Sequence, residues 1–188
     1  MRPSRARIEP VPEGEWTDEM REVFDQTRAL SGDRVFNIFT TLARHPKLLK
    51  RWMVFANHIL AKSTLGARER ELLILRIGWL CRAEYEWAQH VLIAKLLGVT
   101  DAEIAQVQVG PEAPEWSRHD RALVCAADEL HRDACIGDAT WATLRASYSE
   151  EQMIDVVFTV GQYNLVSMVL NSLGVELDPG LSGFAGAP

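Results

Sequence analysis

Glu86 and His90 stand four residues apart in the run Glu84-Tyr85-Glu86-Trp87-Ala88-Gln89-His90. On one helix that spacing puts a carboxylate and an imidazole on the same face, close enough to meet. The stretch from Glu69 to His90 is also the densest collection of ionisable side chains beside an apolar core. Burial raises a carboxylate's pKa and lowers an imidazole's, whereas an adjacent opposite charge acts the other way on each. A half-buried pair of this kind can be tuned to pass a proton near neutral pH. The same spacing also describes an exposed pair worth only a few tenths of a kcal/mol. Tyr85 and Trp87 are placed to shape a substrate pocket around such a pair, or to serve as plain core. His58, in Phe55-Ala56-Asn57-His58, lies on a helix that can approach the same pocket. His45, His119 and His131 fall near helix ends or in polar surroundings and read as surface or capping residues. No metal is expected, because a second His at ligand spacing is missing and Glu86–His90 is not the Glu-x-x-His of carboxylate-bridged bundles.

The elements that must position these groups are helical. Met20, Val23, Phe24, Thr27 and Leu30 follow i, i+3, i+4 spacing behind Thr17 as N-cap. A short helix over Val35–Ala43 stops before His45-Pro46, where proline disfavours helix in the residue preceding it. Pro46 opens the next helix, with Leu48, Leu49, Trp52, Phe55, Ala56, Ile59 and Leu60 on one face. Ala67 to about Cys81 is charged at its start and apolar nearly all round afterwards, the pattern of a buried helix. Ala83–Leu97 follows and ends at Gly98. Thr100 with Glu103 and Ser149 with Gln152 form capping boxes. Between them, Ser117 starts one helix, carrying Leu123, Val124, Ala127 and Leu130, and Asp138 caps a brief one. The last helix closes at Gly174. No segment alternates like a strand, so the fold class is all-α. The boundaries are an extended arm over 1–16, a single helical domain over 17–178 and a flexible tail over 179–188. A faint internal repeat places Leu97-Gly98-Val99 on Leu173-Gly174-Val175 after a shift of 76 residues, with Gln162 opposite Glu86 and Val166 opposite His90. As a repeat, the second copy would keep the packing and lose the ionisable groups; chance likeness between two apolar helices explains the match about as well.

The 188 residues carry a net charge of −6 and a pI near 5.4, which speaks against nucleic acid or an anionic membrane as a partner. Cys81, Cys125 and Cys135 make an odd number without a CxxC pair, as suits a reducing cytoplasm rather than a disulfide framework. Arg2, Arg5 and Arg7 have no apolar stretch behind them, so no signal peptide is expected. The most apolar run, Met153–Leu173, contains Asp155, Gln162, Asn164 and Asn171, which suits a core helix better than a membrane span.

Glu71, eleven residues, Ala83-Glu84-Tyr85-Glu86, three residues and His90 together resemble the core motif of the carboxymuconolactone decarboxylase-like family, within the alkylhydroperoxidase D-like superfamily. Redox members there have Glu, eleven residues, Cys-x-x-Cys, three residues, His. Here Glu71 and His90 match the outer positions, and Ala83 and Glu86 replace the thiols. Arg68-Glu69-Arg70-Glu71-Leu72-Leu73-Ile74-Leu75-Arg76, Gly98-Val99-Thr100-Asp101-Ala102-Glu103-Ile104, Ala127-Asp128-Glu129-Leu130-His131 and Val160-Gly161-Gln162-Tyr163 extend the likeness from about Phe36 to Leu177, to the branch without the CxxC pair. The fold so implied is an alkylhydroperoxidase D-like helical bundle.

Thiol chemistry needs an attacking thiolate and a resolving partner, which Ala83 and Glu86 cannot supply. Cys81, about 200° round a helix from Ala83, is no substitute and reads as a small buried hydrophobe. The resemblance implies instead a cofactor-free acid–base enzyme, a decarboxylase-type lyase acting on a small lactone or organic acid. In that reading His90 donates to the anion left by decarboxylation and shuttles the proton. Glu86 orients His90, and Glu71 is a second acid or base, all three meeting in one enclosed cavity. Tyr85, Trp87 and His58 contact substrate. Alternatives are an alkylhydroperoxidase- or peroxiredoxin-type oxidoreductase, and a non-catalytic ligand-binding member. The family also implies a homo-oligomer (dimer, trimer or hexamer).

Overall fold

The computed structural model describes residue 3, residues 5–31 and residues 34–184, with the side chains of 28–31 excepted. The side chain of Leu30, residues 1, 2 and 4 of the expected arm and the last four residues of the tail therefore lie outside the described parts. Every regular element among the described residues is helical. After a 3-10 turn at Glu13–Glu15 come α1 (Asp18–Ser31), α2 (Asn37–Leu42), α3 (Pro46–Ala61), α4 (Ala67–Leu80), α5 (Glu84–Leu96), α6 (Asp101–Val109), α7 (Arg118–Asp133), α8 (Asp138–Arg145) and α9 (Glu150–Leu173).

Helix α4 is the axis of the bundle. Everything from Glu71 to Gly78 is buried, and α5, α6, α7 and α9 pack around it. Leu72, Leu73, Ile74, Leu75 and Ile77 are completely enclosed, each contributing about 1.5–3 kcal/mol relative to exposure. One apolar cluster joins Leu73, Ile74 and Ile77 to Leu123, Ala127, Met153, Val156 and Tyr163. A second, on the opposite side, joins Leu72 and Leu75 to Trp87, Val107 and Trp116. Polar groups at both ends of α4 fix its rotation. Arg68 binds Glu103 and Asp120. Arg76 binds Asp128 at 2.5 and 2.8 Å and the carbonyl of Val107 at 2.7 Å.

The caps act where the residue types place them. Thr100 and Glu103 exchange bonds, as do Ser149 and Gln152, and Ser117 accepts from the Asp120 N–H. The α5 and α9 ends match the repeat: Gly98 and Gly174 are left-handed, and Val99 and Val175 donate to Ala94 and Leu170, pairs related by the same 76-residue shift. Helix α9 is long and apolar enough to span a membrane, yet just over half of that stretch is buried against its neighbours.

Three local expectations need correction. Leu48 and Phe55 face outward on α3, whose buried stripe is Leu49, Met53, Ala56 and Ile59, a narrower band than the whole apolar count suggests. The N-cap of α8 is Gly137, held by its N–H on Glu129, so Asp138 is the first helical residue rather than the cap. Residues Cys81–Ala83 are not continuous helix: Cys81 closes α4, Arg82 is left-handed at φ 52°, and Ala83 precedes α5. Cys81 and Ala83 are therefore not related by the rotation of one continuous helix.

Beyond α9 the chain stays against the bundle as far as Phe184, whose ring packs 5.0 Å from Trp79 and 5.8 Å from Trp87. The arm also lies on its own chain, through Arg7 N–H to the Leu173 carbonyl and Val11 N–H to the Thr40 carbonyl.

Candidate active site

Helices α4 and α5 run into each other through the turn at Cys81–Ala83, and that connection brings Glu71 opposite His90. His90 Nδ1 lies 2.6 Å from Glu71 Oε2, and Nε2 lies 3.0 Å from Glu86 Oε1 one turn back on α5. All three are buried, Glu71 completely. Two carboxylates accept; they do not donate unless protonated. With carboxylates as acceptors on both sides, each imidazole nitrogen donates, which is the arrangement of a protonated His90. Burial pushes its pKa down. The charge and hydrogen bond of Glu71, then those of Glu86, outweigh that and raise it to about 10.

Two further residues complete the cluster. Tyr163 of α9 meets the His90 ring edge-on, with centroids 4.8 Å apart and planes at 83°. Burial, followed by the charges of Glu86 and Glu71, pushes its phenol well above the ordinary value, so the ring is neutral. Arg70 Nε lies 3.4 Å from Glu71 Oε1. The sequence carries a signal for both: Arg70 adjoins Glu71, and Tyr163 closes the Val160–Tyr163 block.

Of the residues expected to form the site, Glu71, Glu86 and His90 come together and the others do not join them. Tyr85 is buried on another side of α5. Its hydroxyl donates to Asp178 and accepts from the Ile38 N–H. Trp87 belongs to the aromatic group with Trp79 and Phe184. His58 is half-buried on α3, near Asp155 rather than within the trio. A cavity of about 310 Å³ lies between the arm, the start of α5 and the end of α9, lined by Tyr85, Glu84, Asn171 and Glu176 among others. None of the trio lines it; they are enclosed by packed side chains, not by that hollow. Both ring nitrogens of His90 already face carboxylate oxygens.

Asp178 is the second buried polar centre. Besides the Tyr85 hydroxyl it accepts from Gln89 Nε2 at 2.7 Å and the Asn37 N–H at 3.0 Å. It ties the chain beyond α9 to α5 and α2. The cysteines make no redox pair: all three are free thiols. Cys81 donates to Asn164 Oδ1 at 3.0 Å, and burial pushes its thiol pKa up. Burial does the same at Cys125.

Residues 46–129 match the model of the Carboxymuconolactone decarboxylase family. No curated protein is significantly similar in sequence. Among solved structures, the chain resembles the alkylhydroperoxidase AhpD core of an uncharacterized peroxidase-related protein from Ralstonia eutropha JMP134, with 20% identity, 93% of each chain covered and a TM-score of 0.81. A peroxidase-related protein from Silicibacter sp. TM1040 shares 15% identity over 95% of this chain and 94% of that one, with a TM-score of 0.80. A debrominase in complex with 2,3,4-tribromopyrrole shares 14% identity over 94% of each chain, with a TM-score of 0.78. At these identities the likeness is one of fold.

Proposed function

We propose that this chain, whose residues 46–129 match the model of the Carboxymuconolactone decarboxylase family, is a cofactor-free acid–base enzyme. Its substrate is a small lactone or organic acid, and its chemistry is decarboxylation or a related proton transfer. The observation that carries this reading is the buried Glu71–His90–Glu86 chain, in which each imidazole nitrogen lies within hydrogen-bond distance of a carboxylate oxygen.

Helix packing holds His90 Nδ1 against Glu71 Oε2, so a proton passes between them without a change of packing, and the Glu71 carboxyl turns away from His90 to hand it on. In the resting site Glu71 and Glu86 are anions and His90 holds two protons. Shift of the Nδ1 proton to Glu71 gives a carboxylic acid and a neutral imidazole whose Nε2–H still donates to Glu86. Loss of carbon dioxide from a substrate carboxylate leaves an electron pair delocalised into a conjugated carbonyl. Glu71 then delivers its proton to carbon, and one proton from solvent restores His90. Glu86 keeps the imidazole oriented throughout. His90 thus works through Glu71 rather than on the substrate.

Thiol chemistry finds no support at the family's cysteine positions, where Ala83 precedes α5 and Glu86 is committed to His90. A homo-oligomer remains part of the proposal. Ile154, Phe158, Leu165 and Met168 leave an exposed apolar strip along α9, beside Phe55 of α3. A strip of this kind suits burial against another subunit.

The test is turnover of a panel of lactones and conjugated carboxylic acids, followed by NMR for ring opening, isomerisation or loss of carbon dioxide. Wild type should convert at least one, and Glu71→Gln and His90→Gln should lose more than a hundredfold in rate. No conversion across the panel, or equal rates in the variants, overturns the reading.

A further inference from the structure

Helix α9 has two faces, and the fold of a single chain uses one of them. Ile154, Phe158, Gly161, Leu165 and Met168 all lie exposed on the other. They are spaced four, three, four and three residues apart, the heptad rhythm by which one helix packs along another at a shallow crossing. None of the 24 residues of α9 is Lys or Arg, so no cation on the helix holds this seam in water. Phe55 of α3 meets Phe158 edge-on at 5.9 Å and widens the face. Exposed apolar surface of several hundred Å² in one patch marks an interaction site.

The order of these residues selects the occupant. Outward from Gly161 the seam is the same in both directions to within one position. Phe158 answers Leu165, Ile154 answers Met168, and beyond them exposed Glu151 answers exposed Ser172. A second α9 laid antiparallel across Gly161 therefore sets apolar residue against apolar residue along the seam, the self-complementarity that an isologous two-fold contact requires. The centre suits it. Glycine weakens a helix interior relative to alanine, and a Cβ at Gly161 would meet nothing within 4 Å. Nothing inside the subunit calls for that glycine, whereas its bareness lets a second backbone approach. The ends suit it as well. Antiparallel pairing brings Glu151 of one copy to Ser172 of the other, and the Ser172 carbonyl holds the exposed Arg7 guanidinium of the arm at 3.2 Å. An anion thus meets a cation at each end of the contact. A membrane is the poorer occupant: helices that lie on lipid carry Lys and Arg on their polar face, whereas α9 starts Glu150-Glu151 in a chain of net charge −6.

We propose that two copies of the chain pair through α9, antiparallel about a two-fold axis at Gly161, with Glu151 of each beside Arg7 of the other. This rests on the homo-oligomer of the proposed function and adds its face, direction and centre. The assembly then contains an even number of chains, a dimer or a hexamer of three such pairs, and not a trimer. The N-terminal arm gains a role in assembly, since it delivers the cation across the interface.

Sedimentation velocity of the full-length protein, with oxidative crosslinking of single-cysteine variants, tests this. Wild type should sediment as an even multiple of the 21.1 kDa chain. Gly161→Arg, whose side chain enters open space in a single subunit, should halve that mass. Its circular dichroism and thermal melting should remain those of a folded helical protein. Glu151→Arg should weaken pairing at least tenfold, and adding Arg7→Glu should recover part of the loss. With the three native cysteines replaced by serine, Gly161→Cys should crosslink to itself. Glu151→Cys and Ser172→Cys should crosslink only when the two are mixed. A monomeric or trimeric wild type overturns the proposal, as does a monomer that instead co-sediments with phosphatidylcholine vesicles. An unchanged mass in Gly161→Arg, or self-crosslinking of Glu151→Cys and Ser172→Cys, overturns it too. The failures are distinguishable: an oligomer indifferent to Gly161 keeps the homo-oligomer and loses this interface, and turnover by the buried trio is read in a separate assay.

Discussion

His90 Nδ1 and Glu71 Oε2, 2.6 Å apart, join α5 to α4 through a charged hydrogen bond buried in the centre of the bundle. The second imidazole nitrogen is taken up by Glu86. Between them the two carboxylates hold a proton that an isolated histidine would release near neutrality.

That proton makes stability depend on pH. The folded pKa of His90 is raised to about 10, above the unfolded value of about 6.5. Its contribution is therefore complete below about pH 6.5 and is lost as pH rises through about 10. Urea denaturation of wild type and His90→Gln between those limits should give curves whose difference shrinks as pH rises, by on the order of a few kcal/mol. A constant difference across the range contradicts the buried imidazolium.

Glu71→Gln removes one partner of a fully buried pair and leaves a charged imidazole poorly compensated. The expected cost is about 3–5 kcal/mol by urea denaturation near neutral pH. In a double-mutant cycle, combining it with His90→Gln should cost less than the sum of the two single changes. Additivity would mean that the two side chains do not interact.

Much of this arrangement can be read from the chain and part of it cannot. The Thr100–Glu103 and Ser149–Gln152 boxes, the terminal glycines at 98 and 174 and the Glu86–His90 spacing are local, and local spacing reports them faithfully. The Glu71 contact is not local: it depends on how α4 and α5 pack across the turn at Cys81–Ala83, and only the family motif pointed to it. Phe55 shows the limit of periodicity, since an apolar residue can sit on the edge of a helix stripe and meet Phe158 at the surface. Tyr85 and Asp178 are 93 positions apart, so composition and periodicity carry no sign of their bond.

Asp178 fastens the end of the chain to α5 and α2 through Tyr85, Gln89 and Asn37. Asp178→Ala leaves those donors unsatisfied and should cost about 1–3 kcal/mol, while the pH dependence attributed to His90 persists. Hydrogen exchange should show faster opening of the segment after α9. Unchanged protection there would mean that the packing of Phe184 alone holds the tail.

The thiols should rank by exposure. Cys135 is exposed, whereas burial raises the thiol pKa of both Cys81 and Cys125. Only the thiolate reacts readily. Timed iodoacetamide labelling read by mass spectrometry should modify Cys135 first, and replacing all three cysteines by serine should leave acid–base turnover in place. Preferential labelling of Cys81, or loss of turnover with its thiol, would reinstate sulfur chemistry.

The most direct measurement is the nitrogen-15 NMR spectrum of the His90 ring near pH 8, assigned by comparison with His90→Gln. Two protonated ring nitrogens, with no titration until the pH approaches about 10, are the predicted result. A neutral single-proton tautomer that titrates near 6.5 would contradict the account.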